Sequence, residues 1–201
     1  MASSVEFAQR DPRSAAFWDE RFERGFTPWD RGAAPQALQD FVQASGRTLS
    51  TLIPGCGAAY ELALLREHGW DATAIDFSAA AVLRARAVAG PHAARIVQAD
   101  FFSYAPAAPL DLIYERAFLC ALPRAMWPQV AARWAALLPA GALLAGFFFF
   151  DSAPKGPPFG IAAAELEGLL APHFERVVDE PVADSIAVFA GKERWQIWRR
   201  L

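Results

Sequence analysis

The 201-residue sequence predicts an α/β fold, a doubly wound and mostly parallel sheet with helices on both faces. Three observations predict it. Short apolar runs alternate with helical patterns along most of the chain. The first such run, residues 49–53, breaks at Pro54-Gly55-Cys56-Gly57, a tight turn that opens a helix. Glycine or an ionisable residue then stands at the carboxyl end of most runs, where sheets of this kind bind their ligands. The length allows one sizeable core and not two. Residues 1–201 are therefore read as a single domain, a helical lid segment over 1–45 and an α/β core over 46–201.

The elements follow in order. Residues 1–12 are polar, with a loose start expected. Ser14 is placed to cap a helix over 15–24, with Phe17, Trp18, Arg21 and Phe22 at helical spacing. GFTPWDRG then breaks that helix. Trp18 and Trp29 bracket this segment and have two readings. They pack the N-terminal helix on the core, or they fold over a ligand, shielding an adenine or a sulfonium with their rings. Residues 35–45 form a helix with Leu38, Phe41 and Val42 inward.

After the strand over 49–53 and its glycine turn comes a helix with Leu62, Leu64 and Leu65 on one stripe. A second strand over 72–75 closes in Asp76. An acid at that spacing from a glycine turn can accept hydrogen bonds from both hydroxyls of a ribose. The full dinucleotide fingerprint fails, because its third glycine position holds Tyr60. Ser78 caps a helix over 79–89. Residues 94–98 are the third strand, followed by Asp100, and residues 110–114 the fourth, followed by Glu115 and Arg116. A helix over 125–138 carries Trp127, Trp134 and Leu137 and stops at Pro139 and Gly141. Residues 142–150, GALLAGFFFF without its first glycine, form a buried fifth strand and are too short to cross a bilayer as a helix. A proline- and glycine-rich loop over 151–160, a helix over 162–170 and two antiparallel strands over 174–179 and 186–198 complete the chain. The strand ends gather Gly55, Gly57, Asp76, Asp100, Glu115, Arg116 and the 151–160 loop around one cleft.

Composition narrows the function. Hydrophobic residues make up 54% and charged residues 20%, which fits a globular chain and not a disordered one. A net charge of −3 gives no electrostatic footprint for nucleic acid. Two cysteines in apolar surroundings suit a reducing, cytoplasmic setting, and no secretory signal or membrane partner is expected. Metal-ligand spacing of Cys or His is missing, so no metal is expected. His68, His92 and His173 fall away from the strand ends and are read as structural or solvated.

The order TPWDRG, IPGCGAAYE, AIDFS, ADFF, LIYERAFLCAL, GPPFG and a terminal ERW strand resembles the thiopurine S-methyltransferase family, which includes the halide/thiol methyltransferases. The resemblance runs from Phe17 to Trp198. It implies a Rossmann-like class I methyltransferase fold, seven-stranded with an antiparallel last strand. It also implies S-adenosylmethionine as donor and S-adenosylhomocysteine as product. By motif, Trp18 and Trp29 would cover the donor, and Gly55 and Gly57 would lie against its methionine portion. Asp76 would hold the ribose, and Ala99 and Asp100 would flank the adenine. Glu115 and Arg116 would act below the sulfonium, and Asp30, Arg116 and Phe159 would line the acceptor pocket. Plant halide/thiol members tend to have an aromatic pair where this chain has Glu115 and Arg116, and thiopurine-type members an acid and arginine.

The expected reaction is an in-line methyl transfer to a small thiol or thiopurine-like acceptor by a monomer or weak homodimer, with halide or chalcogen anions as the alternative. Arg116 has a second reading, an ion pair with Glu115 or Asp30. Rival functions remain. A nicotinamide oxidoreductase would want the missing third glycine. A nucleic-acid or protein methyltransferase would want a basic face or an Asn/Asp-Pro-Pro-aromatic motif where IYER stands. A non-catalytic donor-binding module would share the whole donor site.

Overall fold

The computed structural model describes residues 6–201; residues 1–5 of the expected loose start lie outside them. Seven strands form one sheet: β1 (Ser50–Pro54), β2 (Asp71–Asp76), β3 (Ile96–Gln98), β4 (Leu112–Arg116), β5 (Leu143–Phe149), β6 (Phe174–Pro181) and β7 (Glu193–Arg200). Their order is β3-β2-β1-β4-β5-β7-β6. The first five pair in parallel, and β7 lies antiparallel between β5 and β6. The chain therefore starts in the middle of the sheet, winds outward to β3, and returns to β4 beside β1. That reversal leaves a crevice beyond the carboxyl ends of β1 and β4.

Helices cover both faces. α2 (Gln36–Ala44), α3 (Tyr60–Glu67) and α4 (Ala79–Ala89) pack one of them, burying Leu38, Val42, Leu62 and Trp70. α5 (Trp127–Leu137) and α6 (Ala163–Leu170) pack the other around Trp134, Phe148 and Trp198. Burying each of these large side chains is worth roughly 1.5–3 kcal/mol. The remaining helix, α1 (Ala15–Glu23), lies against α4. β6 forms one edge of the sheet and carries Glu175, Arg176, Asp179 and Glu180, charges that discourage further strand pairing.

Several boundaries differ from the sequence reading. Ser14 does sit at the N-cap of α1, but its side chain makes no capping bond. Ser78 does cap α4, its Oγ accepting from Ala81 N at 3.1 Å. The third strand begins only at Ile96, because Gly90–Arg95 folds into a 3-10 turn. The fourth is displaced toward the cleft, so that Glu115 and Arg116 are strand residues paired with Gly146 and Phe147. The last strand begins at Glu193. Residues 186–192 instead make two turns, closed by Phe189 N to Ile186 O and Lys192 N to Phe189 O, both 2.9 Å. Among the described residues no helix is long and apolar enough to cross a membrane.

β4 and β5 can approach closely because position 146 has no side chain. A Cβ built there falls 1.9 Å from the Glu115 carbonyl oxygen and 2.7 Å from its Cβ. Gly146→Ala is predicted to force these central strands apart, costing about 1–3 kcal/mol or more. Thermal unfolding should show a Tm lower by at least several degrees. A Tm equal to that of the wild type would mean that the strands separate freely here.

Candidate active site

The carboxyl ends of β1, β2 and β4 open into a cavity of about 590 Å³, within the range of small-molecule sites. The turn after β1 forms its floor. Gly55 has φ +58°, and a Cβ there would meet the Phe118 ring at 2.5 Å, so only glycine lets the backbone run this close. The turn ends at Ala59, itself left-handed at φ 56°, and α3 starts from it. Left-handed alanine is strained, and such strain gathers at ligand sites.

Asp76 ends β2 on the cavity wall, with 7% of its surface exposed. Its Oδ2 accepts from Gly57 N at 3.1 Å and its Oδ1 from Ser78 N at 2.9 Å. Each oxygen keeps lone-pair capacity for a further donor. Burial pushes this carboxyl up to about 6, against the lowering effect of the Ser78 and Gly57 amides. Ala99 N donates to Asp76 O at 2.9 Å, which brings Ala99 beside it on the wall. Asp100 also lines the cavity but is exposed, its Oδ1 taking Phe102 N at 2.9 Å.

The N-terminal segment closes one side. Asp19 on α1 accepts from Ser78 Oγ at 2.6 Å and from Ala80 N at 3.1 Å, fastening α1 to the start of α4. Trp18 and Trp29 meet edge to face at 5.5 Å, both half-buried and both on the cavity wall. Trp18 Nε1 donates to Pro12 O at 2.8 Å, which fixes its ring.

At the β4 end the structure corrects three expectations. Arg116 pairs with neither Glu115 nor Asp30. Its Nη1 bonds Glu193 Oε2 at 3.0 Å, with 10% and 3% of the two side chains exposed. The guanidinium lies 4.4 Å from the centre of the Phe147 ring, a cation–π contact, and its Nη2 is buried without an acceptor. Glu115 does not line the cavity. It is 1% exposed and accepts from Phe118 N and Leu119 N, both 3.2 Å, clamping the turn that follows β4. Phe159 also packs away from the cavity, against the α5 and α6 face, with its N donating to Cys120 O at 2.6 Å. Asp30 does line the cavity, but its Oδ2 pairs with Arg84 at 2.9 Å.

Other residues on this wall were not singled out from the sequence. Pro157 and Pro158 face the cavity in place of Phe159, within the same GPPFG motif. Val188 and Phe189 reach it from the turns before β7, a stretch whose apolar run reads as strand. Glu61 lines it from the first turn of α3, where an acid ordinarily signals only a solvated helix start. Phe118 and Cys120 lie within the quoted LIYERAFLCAL motif, but nothing in their type marks them. No cluster of three or more His, Cys, Asp or Glu able to hold a metal occurs among the described residues.

Comparison with known proteins finds similar chains and a similar fold. A family model described as thiopurine S-methyltransferase (TPMT) matches residues 13–201. Thiocyanate methyltransferase 1 of Brassica oleracea is 31% identical over 92% of this chain and 84% of its own. Probable thiol methyltransferase 2 of Arabidopsis thaliana is 31% identical over 93% and 86%. Among solved structures, Burkholderia thailandensis 1,6-didemethyltoxoflavin-N1-methyltransferase, with 1,6-didemethyltoxoflavin and S-adenosylhomocysteine bound, superposes with a TM-score of 0.74 at 20% identity. That match covers 98% of this chain and 93% of the other, and its likeness is one of fold.

Glu115 gives a test of this arrangement. Burial pushes its carboxyl from the ordinary 4.5 up to about 7, although two amides bond it. A folded-state value above the unfolded one means that the folded protein keeps a proton the unfolded chain releases. Stability is therefore fullest below the lower value and falls as pH rises toward 7. Asp76 contributes with the same sign. Glu115→Gln cannot titrate but can still accept an amide hydrogen bond. We predict a clearly shallower fall of Tm between pH 5 and 7.5 in this variant, and a slope equal to the wild type would place the carboxyl in water.

Proposed function

The chain belongs to the thiopurine S-methyltransferase family, and from that premise we propose that it transfers a methyl group to a small anionic sulfur acceptor. It is an S-adenosylmethionine-dependent methyltransferase. The observation that carries the acceptor reading is Arg116: a guanidinium on the cavity wall, nine-tenths buried, with Nη2 lacking an acceptor among the described residues. An unsatisfied buried donor is costly unless a ligand completes it. Phe118, Phe189 and Pro158 add apolar surface to the cavity wall. A soft, weakly hydrated anion such as a thiolate or thiocyanate fits such a site, in keeping with the substrates named for the plant relatives.

In this reading Asp76 takes the ribose hydroxyls, the turn through Gly55 and Gly57 carries the methionine portion, and Ala99 and Asp100 flank the adenine. The residues fit the donor: a buried carboxylate with lone pairs to spare stands beside a backbone turn whose two glycines carry no side chain. Bound there, the donor supplies a methyl group on a sulfonium that an in-line nucleophile can displace. The protein orients both reactants and keeps water out. Trp18 and Trp29 serve as the lid, on the segment fastened to α4 through Asp19. Thiolates need no strong base at neutral pH, so Glu115 is assigned to the turn and not to proton transfer. We place the activity in the cytoplasm, where the buried free thiols Cys56 and Cys120 stay reduced, and read the acceptor as a small molecule and not a nucleic acid.

Labelled donor with thiocyanate, hydrosulfide, an anionic thiol, a neutral thiol, a thiopurine and iodide tests this directly. Sulfur anions should be the best acceptors; faster transfer to iodide would favour the halide alternative. Arg116→Ala is expected to slow the anionic acceptors roughly ten- to a hundredfold and the neutral thiol far less. Arg116→Lys should recover only part, since it keeps the charge and loses the planar fork. Equal losses for every acceptor would reduce Arg116 to a structural ion pair. Asp76→Ala should weaken S-adenosylhomocysteine binding by roughly ten- to a hundredfold, and unchanged affinity would remove Asp76 from the donor site.

A further inference from the structure

Four carboxylates line the cavity: Asp30, Glu61, Asp76 and Asp100. Three have donors within the fold. Asp30 takes Gly32 N and Arg84, Asp76 takes Gly57 N and Ser78 N, and Asp100 takes Phe102 N. Glu61 is different. Only 8% of it is exposed, yet beyond its own amide it receives no hydrogen bond or ion pair from any described residue.

The cations near it make no ion pair with it, although Arg116 keeps Nη2 free among the described residues. Arg116 is paired with Glu193 at 3.0 Å and Arg31 with Asp184 at 2.8 Å. The other groups facing it are Tyr114 on β4, Asp30 in the N-terminal segment and Cys56 in the glycine turn, none of them cationic. A place in the first turn of α3 explains the choice of an acid, since the helix dipole favours one there. It does not explain the burial, because an acid serving only the dipole would stay in water. Burial raises the Glu61 carboxyl, as expected of a buried acid without a counter-ion.

We propose that Glu61 is the counter-ion of a primary ammonium group, namely the α-ammonium of the methionine portion of the donor. The proposal rests on the reading that this portion lies along Gly55 and Gly57, since Glu61 is the acid in the helix that turn opens. Of the donor's two positive centres, only the ammonium carries N–H groups for a carboxylate to accept; the sulfonium has none. Glu61 would thus select donors and products that retain the amino group, while Asp76 reads the ribose.

Calorimetry with S-adenosylhomocysteine and its deamino analogue, which keeps the carboxylate but has hydrogen in place of the amine, tests this. Wild type should bind S-adenosylhomocysteine roughly ten- to a hundredfold more tightly than the analogue. Glu61→Gln should lose most of that preference by weakening the natural ligand while leaving the analogue near its wild-type affinity. Equal binding of the two ligands by wild type overturns the proposal even if the variant fails to fold. A variant that retains the wild-type preference overturns it, as does one that weakens both ligands alike. Normal binding of both with slower methyl transfer would move Glu61 to the acceptor and also overturn it. If wild type bound no S-adenosylhomocysteine while the fold was intact, the donor site itself would fall, and this proposal with it.

Discussion

The Asp76 carboxylate is the constraint on which the site depends. Its two oxygens hold Gly57 N and Ser78 N, joining the turn after β1 to the start of α4. Ser78 extends the chain by donating to Asp19 at 2.6 Å while capping Ala81 N, so α1 is set by the same group. Burying a carboxylate in this way is unfavourable, as its rise to about 6 indicates, and the surrounding fold offsets that cost. What is gained is a pre-set acceptor pair at the cleft. The glycine turn, the start of α4 and, through Ser78, α1 are tied together by one side chain.

The β4 end is built differently, from packing between strands. Gly146 lets β5 come close to β4, and Glu115 then folds the chain back sharply, placing Phe118 against Gly55. Arg116 lies between Phe147 and Glu193, so its direction depends on β7 being inserted antiparallel next to β5. The last strand thus contributes to a site whose other parts come from far earlier in the chain. The ends of β1 and β2 are held by backbone amides, and the end of β4 by an ion pair over an aromatic ring.

Much of this was legible in the sequence. Alternating runs gave the doubly wound sheet with its antiparallel ending, because each run is long enough and apolar enough to be buried. The glycine turn and the place of Asp76 at the end of β2 were readable because they depend on backbone freedom and on spacing, both properties of local sequence. Glu115 and Arg116 were found but not told apart. Neighbours on a strand point to opposite faces, and which face meets the cleft depends on how β4 is set between β1 and β5. The Glu193 partner of Arg116 was hidden for a like reason, since it lies on a strand paired across the sheet. The GPPFG motif points to Phe159, but its ring packs on the α5 and α6 face, and Pro157 and Pro158 of the same motif line the cavity. Residues 186–192 read as strand from their apolar content, and tertiary packing of Phe189, 2% exposed, turned them instead.

A crystal structure of the complex with S-adenosylhomocysteine tests the central claim most directly, that the ends of β1 and β2 hold the donor while β4 faces the acceptor. The account predicts both ribose hydroxyls within hydrogen-bond distance of Asp76 and the product sulfur turned toward Arg116 and Phe118. Nucleoside density away from Asp76, or a sulfur facing away from the β4 end, would contradict it.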